Sequence, residues 1–262
     1  MKKAYKINKA ERISGYGSYG DNTHVANQSD QTSYPPAVEK SIELKLSRII
    51  SESYKGNNII SADKIIRECF SQENYDVFIS YSSQDVECAR NLKNFIQNEL
   101  GLTCFLDCDV WENAYKVMRN IDDELNLIDY SIKLYDYEGS RQSSINVSMM
   151  LTSALTLMLE RCQVIIFICS KNSISNLNGN NRNIVKINDK TYSPWLYHEI
   201  SMVNMMNRIQ SDKGALIKAA SAKFEYSLDL SQFETIDAKW LLYWKQKKEQ
   251  NPNINVLDII TK

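Results

Sequence analysis

The spacing of apolar residues divides the chain into two regions of different character. From about Ala37 to Tyr54, Val38, Ile42, Leu44, Leu46, Ile49 and Ile50 recur mostly at helical spacing, and Ser61-Ala62-Asp63 opens a second short helix carrying Ile65, Ile66 and Phe70. Beyond residue 73 the apolar runs become short and continuous. Tyr75 to Ser80 reads as a buried strand, and Ser82-Ser83-Gln84-Asp85 caps a helix with Val86, Ala89, Leu92, Ile96 and Leu100 on one face. Gly101 ends that helix, and Leu102 to Asp107 follows as a second buried strand. Strand, helix and strand in this order require a crossover, which favours parallel pairing with a right-handed connection.

The later pattern continues the same architecture with interruptions. A helix is expected near Val117 to Leu127, followed by a polar, Tyr-rich passage from Asp129 to Ser144, so that residues 115–146 read as an insertion. An amphipathic helix over 147–161 leads into Gln163 to Ser170, the most apolar strand and the expected centre of the sheet. An Asn-rich loop, Lys171 to Tyr192, precedes a helix opened by Ser193 as N-cap and Pro194 in its first turn. A further strand is expected at Lys223 to Leu228 and a C-terminal helix over Ile236 to Glu249. The fold class is a doubly wound α/β sheet over residues 74–262, preceded over 1–73 by an arm and a helical extension. Within the arm, Gly15-Tyr16-Gly17-Ser18-Tyr19-Gly20 matches the G-x-G-x-x-G spacing of dinucleotide-binding loops. Such a loop needs a strand before it and a helix after it. The sequence signals neither, and the stretch reads as a loop.

Composition narrows the function classes. The 262 residues carry 31 Lys+Arg against 32 Asp+Glu, a formal charge of -1, without the broad positive field that a dedicated nucleic-acid binder uses. The longest uninterrupted apolar run, Val164 to Cys169, is far too short to cross a bilayer, and the basic N-terminus is not followed by the apolar segment of a secretory signal. Neither nucleic acid nor membrane is therefore expected as a partner. Cysteines at 69, 88, 104, 108, 162 and 169 form no C-x-x-C pair, and the two histidines, His24 and His198, stand apart from any cysteine cluster. A reduced, cytoplasmic protein with no metal site is expected.

Ligands of doubly wound sheets sit beyond the carboxyl ends of the strands. Those ends carry Ser80-Tyr81-Ser82-Ser83, Asp107-Cys108-Asp109-Val110-Trp111-Glu112, and Ser170, whose loop leads to Trp195 and Glu199. Trp195 and Glu199, four apart on one helix, place an indole and a carboxylate on one face, with Leu196, Ile200 and Val203 facing the core. Three of these segments, Tyr75-Asp76-Val77-Phe78-Ile79-Ser80-Tyr81, Phe105-Leu106-Asp107 and Ser193-Pro194-Trp195-Leu196-Tyr197-His198-Glu199-Ile200, resemble the Toll/interleukin receptor (TIR) domain family over residues 74 to about 245. The resemblance implies a flavodoxin-like fold and, as in the enzymatic members, cleavage of the nicotinamide-ribose bond of NAD+ by one glutamate. Glu199 matches that glutamate and Trp195 the aromatic before it. Tyr81, Asp107 and Glu112 fall where relatives line the NAD+ pocket. With Ser82 and Trp111 at the same strand ends, they complete the candidate substrate-binding set. Asp107 to Ala114 corresponds to the loop that gates the pocket and mediates association with other TIR protomers.

The chemistry suits a lone carboxylate. The nicotinamide of NAD+ is cationic and departs neutral, so no general acid is needed, and a glutamate against the ribose can stabilise the oxocarbenium-like centre left behind. The expectation is an NADase resembling the signal-generating TIR proteins of bacterial antiphage defence, such as those of Thoeris systems. Its product would be an ADP-ribose-derived nucleotide read by a separate downstream effector, with NAD+ as substrate and no further cofactor. The alternative is a non-catalytic TIR interaction module. A nucleoside or nucleotide glycosyl-transferring enzyme on a similar sheet is the more distant option. His198, on a different helix face from Glu199, is expected to be exposed or locally bonded. Cys104 and Cys169 are expected to be core thiols, and Cys108 to lie in the gate loop.

Overall fold

The computed structural model describes residues 2–8, 36–54, 59–70, 73–106, 108–175, 189–207 and 226–261. In chain order its elements are β1 (Lys3–Asn8), α1 (Pro36–Tyr54), α2 (Ala62–Cys69), β2 (Val77–Ser80), α3 (Val86–Phe95), β3 (Cys104–Leu106), α4 (Cys108–Ile121), β4 (Leu127–Asp129) and β5 (Leu134–Tyr135). They continue with α5 (Tyr137–Arg161), β6 (Val164–Cys169), β7 (Asp189–Thr191), α6 (Pro194–Asn207), β8 (Tyr226–Leu228), β9 (Glu234–Ile236), α7 (Ala238–Gln250) and α8 (Val256–Ile260). The chain forms two compact units, one drawn from residues 1–20, 74–107 and 156–262, the other from 21–73 and 108–155.

The first unit is built on a five-stranded sheet in the order β3-β2-β6-β1-β9, parallel at every pairing. Its central strand is β6, Val-Ile-Ile-Phe-Ile-Cys, buried at every position, as its unbroken apolar run requires of a strand covered on both faces. Strand alternation separates the two faces. Tyr5 of β1 sets its ring edge-on to Trp244 of α7, centroids 5.5 Å apart, and its hydroxyl donates to the Ile260 carbonyl of α8. Ser80 at the end of β2 is bonded to Glu199 of α6. In a parallel sheet, in-register neighbours point the same way. Ser80 pairs with Phe167 and Phe167 with Lys6, one residue past Tyr5, so α6 covers the face opposite α7. Helices on both faces make this a mainly parallel α/β fold. At the end of the helix that follows β2, Gly101 adopts φ 71°, the left-handed cap anticipated from its sequence.

Two expectations about the sheet change. Lys3–Asn8, read as part of an arm, is a strand inside the sheet between β6 and β9. Its Ala4, Tyr5 and Ile7 are buried, which supplies the apolar contact the segment lacks in its local sequence. The strand expected near Lys223 to Leu228 does form, as β8, but it pairs antiparallel with β7 in a separate two-stranded ribbon. The position beside β6 is occupied by β1. By chain position the strand order is 3-2-4-1-5, whereas a sequentially wound flavodoxin-like sheet runs 2-1-3-4-5.

The second unit joins segments read as separate additions, the helical extension and the insertion. Helix α1 packs on α2 and α4, burying Leu46, Ile49 and Ile50, with Arg48 paired to Glu68 at 2.5 Å. Residues 108–114, expected as a gate loop, form the first turns of α4. Val110, Ala114, Val117 and Ile121 recur at helical spacing there, a stripe that begins before the helix start expected at Val117. Helix α5 starts at Tyr137, ten residues earlier than the apolar pattern suggested. Its hydroxyl residues do not break it. Ser144, Ser148, Thr152 and Ser153 each donate to the carbonyl four residues back, at 2.8–3.0 Å, so they are satisfied within the helix. Among the described residues no helix is long and apolar enough to cross a membrane.

Candidate active site

Connections leave the sheet in opposite directions from β2 and β6, since β2 leads outward to β3 and β6 leads across β1 to β9. The carboxyl ends of β2 and β6 thus flank a topological switch point, the position at which open α/β sheets bind ligands. Ser193 Oγ caps α6 there, accepting from the Leu196 amide at 3.3 Å, while Thr191 Oγ1 accepts from the Ser193 amide at 3.1 Å. The helix begins at Pro194, as Ser-Pro in this order dictates.

One turn into α6, Glu199 projects from the same stripe as Leu196, Ile200 and Val203 and is 1% exposed. Its Oε2 accepts a hydrogen bond from Ser80 Oγ at 2.5 Å. Burial removes water from the carboxyl and raises the cost of its charged form, while the serine hydroxyl restores one strong bond to it. A carboxyl held in this way is poorly solvated and fixed in direction, ready to face positive charge arising beside it. Trp195 lies one turn earlier on α6 and is half-buried. Tyr81 and Ser82 follow Ser80 directly. Tyr81 is buried, and half-buried Ser82 opens a 3-10 turn, its carbonyl accepting from the Asp85 amide at 2.7 Å.

A polar clamp ties the two strand ends together. Ser170 Oγ donates to Asp85 Oδ2, and Asn172 Nδ2 donates to Asp85 Oδ1 at 2.7 Å. Ser170 Oγ in turn accepts from the amides of Asn172 at 2.9 Å and Ser173 at 3.1 Å. Residues after β2 and β6 are thereby fixed relative to one another, which holds the floor of the switch point rigid.

The structure joins some of the candidate residues, and others fall outside the described residues or in the second unit. Glu199 and the Ser80-Tyr81-Ser82 segment come together. Asp107 lies outside the described residues. Trp111 and Glu112 fall on α4 in the second unit, with side chains outside the described ones. The Gly15 to Gly20 stretch is also outside the described residues, although a strand, β1, does precede it in the chain. His198 is locally bonded, its Nε2 lying 3.1 Å from Thr156 Oγ1. Cys104 and Cys169 are buried, and burial pushes the Cys104 thiol up to about 12, as befits an inert core group. Cys108 is half-buried on α4. Ser80 stood among the strand-end residues but was given no role in the substrate-binding set. The signal for it was a lone hydroxyl closing the apolar run Val77-Phe78-Ile79, but its partner, 119 residues away, carried no trace in the local pattern. Comparison with family models, with curated proteins and with solved structures finds no match.

Proposed function

We propose that this protein cleaves the nicotinamide-ribose bond of NAD+ with Glu199 as the catalytic carboxylate. Its sheet, on this reading, is a flavodoxin-like TIR sheet whose fourth position is filled by β1. The observation that carries the proposal is the buried Glu199, bonded to Ser80 at the switch point between β2 and β6. Sequence resemblance to NAD+-cleaving TIR proteins supports the choice of reaction.

In that reaction the C1′–N bond breaks and its electron pair leaves with neutral nicotinamide. Glu199 stabilises the positive ribose centre, and Ser80 keeps the carboxylate aimed. Water adding at C1′ and losing a proton yields ADP-ribose, whereas a nitrogen or hydroxyl nucleophile yields a cyclic or conjugated nucleotide. Trp195, one turn before Glu199 on α6, is on this reading the aromatic that stacks on the substrate. A diffusible product of this kind, read by a separate effector, fits signalling in antiphage immunity.

Incubation of the purified protein with NAD+ at low and high protein concentration, with products separated and weighed by mass spectrometry, tests the proposal. Nicotinamide should be released by the wild type and not by Glu199→Ala. Absence of turnover at every concentration, with the fold intact, would remove the enzymatic reading and favour the TIR interaction module.

A further inference from the structure

Lys6 is the one lysine of the described residues that is buried, at 6% exposure, and it sits in the middle of the sheet rather than at its margin. Among the described residues its ammonium group makes neither a hydrogen bond nor an ion pair. An ammonium group withdrawn from water and given no partner is costly, and sheets covered on both faces ordinarily fill such a position with an apolar residue.

The face it occupies follows from register. Lys6 is in register with Phe167, which is in register with Ser80, so the three residues form one row pointing to one side of a parallel sheet. On that side Ser80 holds Glu199. Tyr5, the residue before Lys6, points the other way toward Trp244. Lys6 and Ser80 are two strand spacings apart, about 10 Å between backbones, a distance that the long lysine side chain spans in large part. Beyond Lys6 on the same row, Thr235 of β9 is exposed, so the row opens to solvent on that flank.

We infer that Lys6 is a ligand-binding residue that takes the diphosphate of the substrate while the ribose lies against Glu199. A dinucleotide carries its negative charge on the diphosphate, one ribose away from the bond to be broken, which matches a cation set apart from the carboxylate along the sheet row. The inference rests on the proposed function for the identity of the ligand. The existence of an oxyanion site at Lys6 can be tested separately.

Full-length wild type, Lys6→Met and Lys6→Arg are compared in nicotinamide release from NAD+ and from nicotinamide riboside, which has no diphosphate, and in calorimetric binding of inorganic pyrophosphate. Loss of one charge-assisted contact should raise the KM for NAD+ by about tenfold to a hundredfold in Lys6→Met, with kcat little changed. Cleavage of the riboside should be unaffected, Lys6→Arg should restore much of the affinity, and pyrophosphate should bind wild type but not Lys6→Met. The melting temperature of Lys6→Met should equal or exceed that of wild type, because an unpaired buried charge has been removed. Should Lys6→Met fail to fold, Lys6→Gln serves for the same comparison. An unchanged KM for NAD+, an equal loss on both substrates, or equal pyrophosphate binding by wild type and variant would overturn the inference. If the wild type cleaves neither substrate, the proposed function fails and pyrophosphate alone decides. Binding that requires Lys6 upholds the oxyanion site, and no binding to wild type refutes it.

Discussion

Glu199→Gln separates a functional carboxylate from a structural one, because it removes charge while keeping shape. The side chain is 1% exposed and accepts from Ser80 Oγ at 2.5 Å, and the amide oxygen of glutamine can accept the same bond. A hydrogen bond to a charged acceptor contributes about 1.5–3 kcal/mol and one to a neutral acceptor about 1 kcal/mol, so at the Ser80 bond the substitution loses about 1 kcal/mol. Against this stands the effective penalty of burying an ion, several kcal/mol. The balance favours glutamine by about 1–3 kcal/mol. For a protein of this size each kcal/mol moves the melting temperature by about 2–4 °C, so the variant should melt about 2–12 °C higher. Nicotinamide release should at the same time disappear. Thermal unfolding followed by circular dichroism at pH 7, with product analysis on the same samples, reads both. A melting temperature several degrees below wild type would mean that the carboxylate holds the fold together, and the argument for its catalytic role would fail. A higher melting temperature with undiminished turnover would place catalysis elsewhere.

Two other outcomes follow from the first unit. Burial pushes the thiols of Cys104 and Cys162 from 9.0 up to about 12, so above pH 9 the unfolded chain loses protons that the folded one keeps, and stability must fall as pH rises from 9 toward 12. At about 1.4 kcal/mol per pH unit for each thiol, urea unfolding at pH 10 should show about 3 kcal/mol less stability than at pH 8, and a flat profile would contradict the burial of both groups. Deleting residues 1–8 should abolish folding of this unit, since β1 pairs with both β6 and β9 and buries Ala4, Tyr5 and Ile7. A truncated chain that stays soluble and gives a cooperative melt like the wild type would show β1 to be dispensable.

Elements whose information is local were legible in the sequence. The unbroken run Val164 to Cys169 identified the central strand, Val86 to Leu100 the helix behind β2, Gly101 its left-handed end and Ser193-Pro194 the start of α6, whereas Ser82 to Asp85, expected as a cap, form a 3-10 turn without a side-chain capping bond. Elements that depend on distant partners were not. Glu234–Ile236 is too short to stand out, and it becomes a strand through its pairing with β1. The start of α5 was hidden because its serines and threonines look like loop residues until their hydroxyls are seen returning to the helix's own carbonyls. The insertion and the helical extension lie far apart in the chain, and only their packing makes them one unit. For the candidate site, the place of Glu199 on α6 followed from the Ser193-Pro194 helix start, whereas the bond it accepts from Ser80, 119 residues away, left no trace in the local pattern.

The strand β1 shows why such failures carry information. A strand buried between two parallel neighbours should read as a continuous apolar run, and Lys-Ala-Tyr-Lys-Ile-Asn does not. Its local pattern disagrees with its place in the fold, and the disagreement is concentrated at Lys6. The same is true of Ser80, which ends an otherwise apolar strand, and of Glu199, which stands on the buried stripe of α6. Natural sequences tend to break local rules where function demands it. Three such breaks converge on one sheet face: two residues of a single register row, Lys6 and Ser80, and the carboxylate that Ser80 holds. Packing alone would have placed apolar side chains at all three positions. A ligand with a positive centre to stabilise and an anionic group nearby gives one reason for all of them.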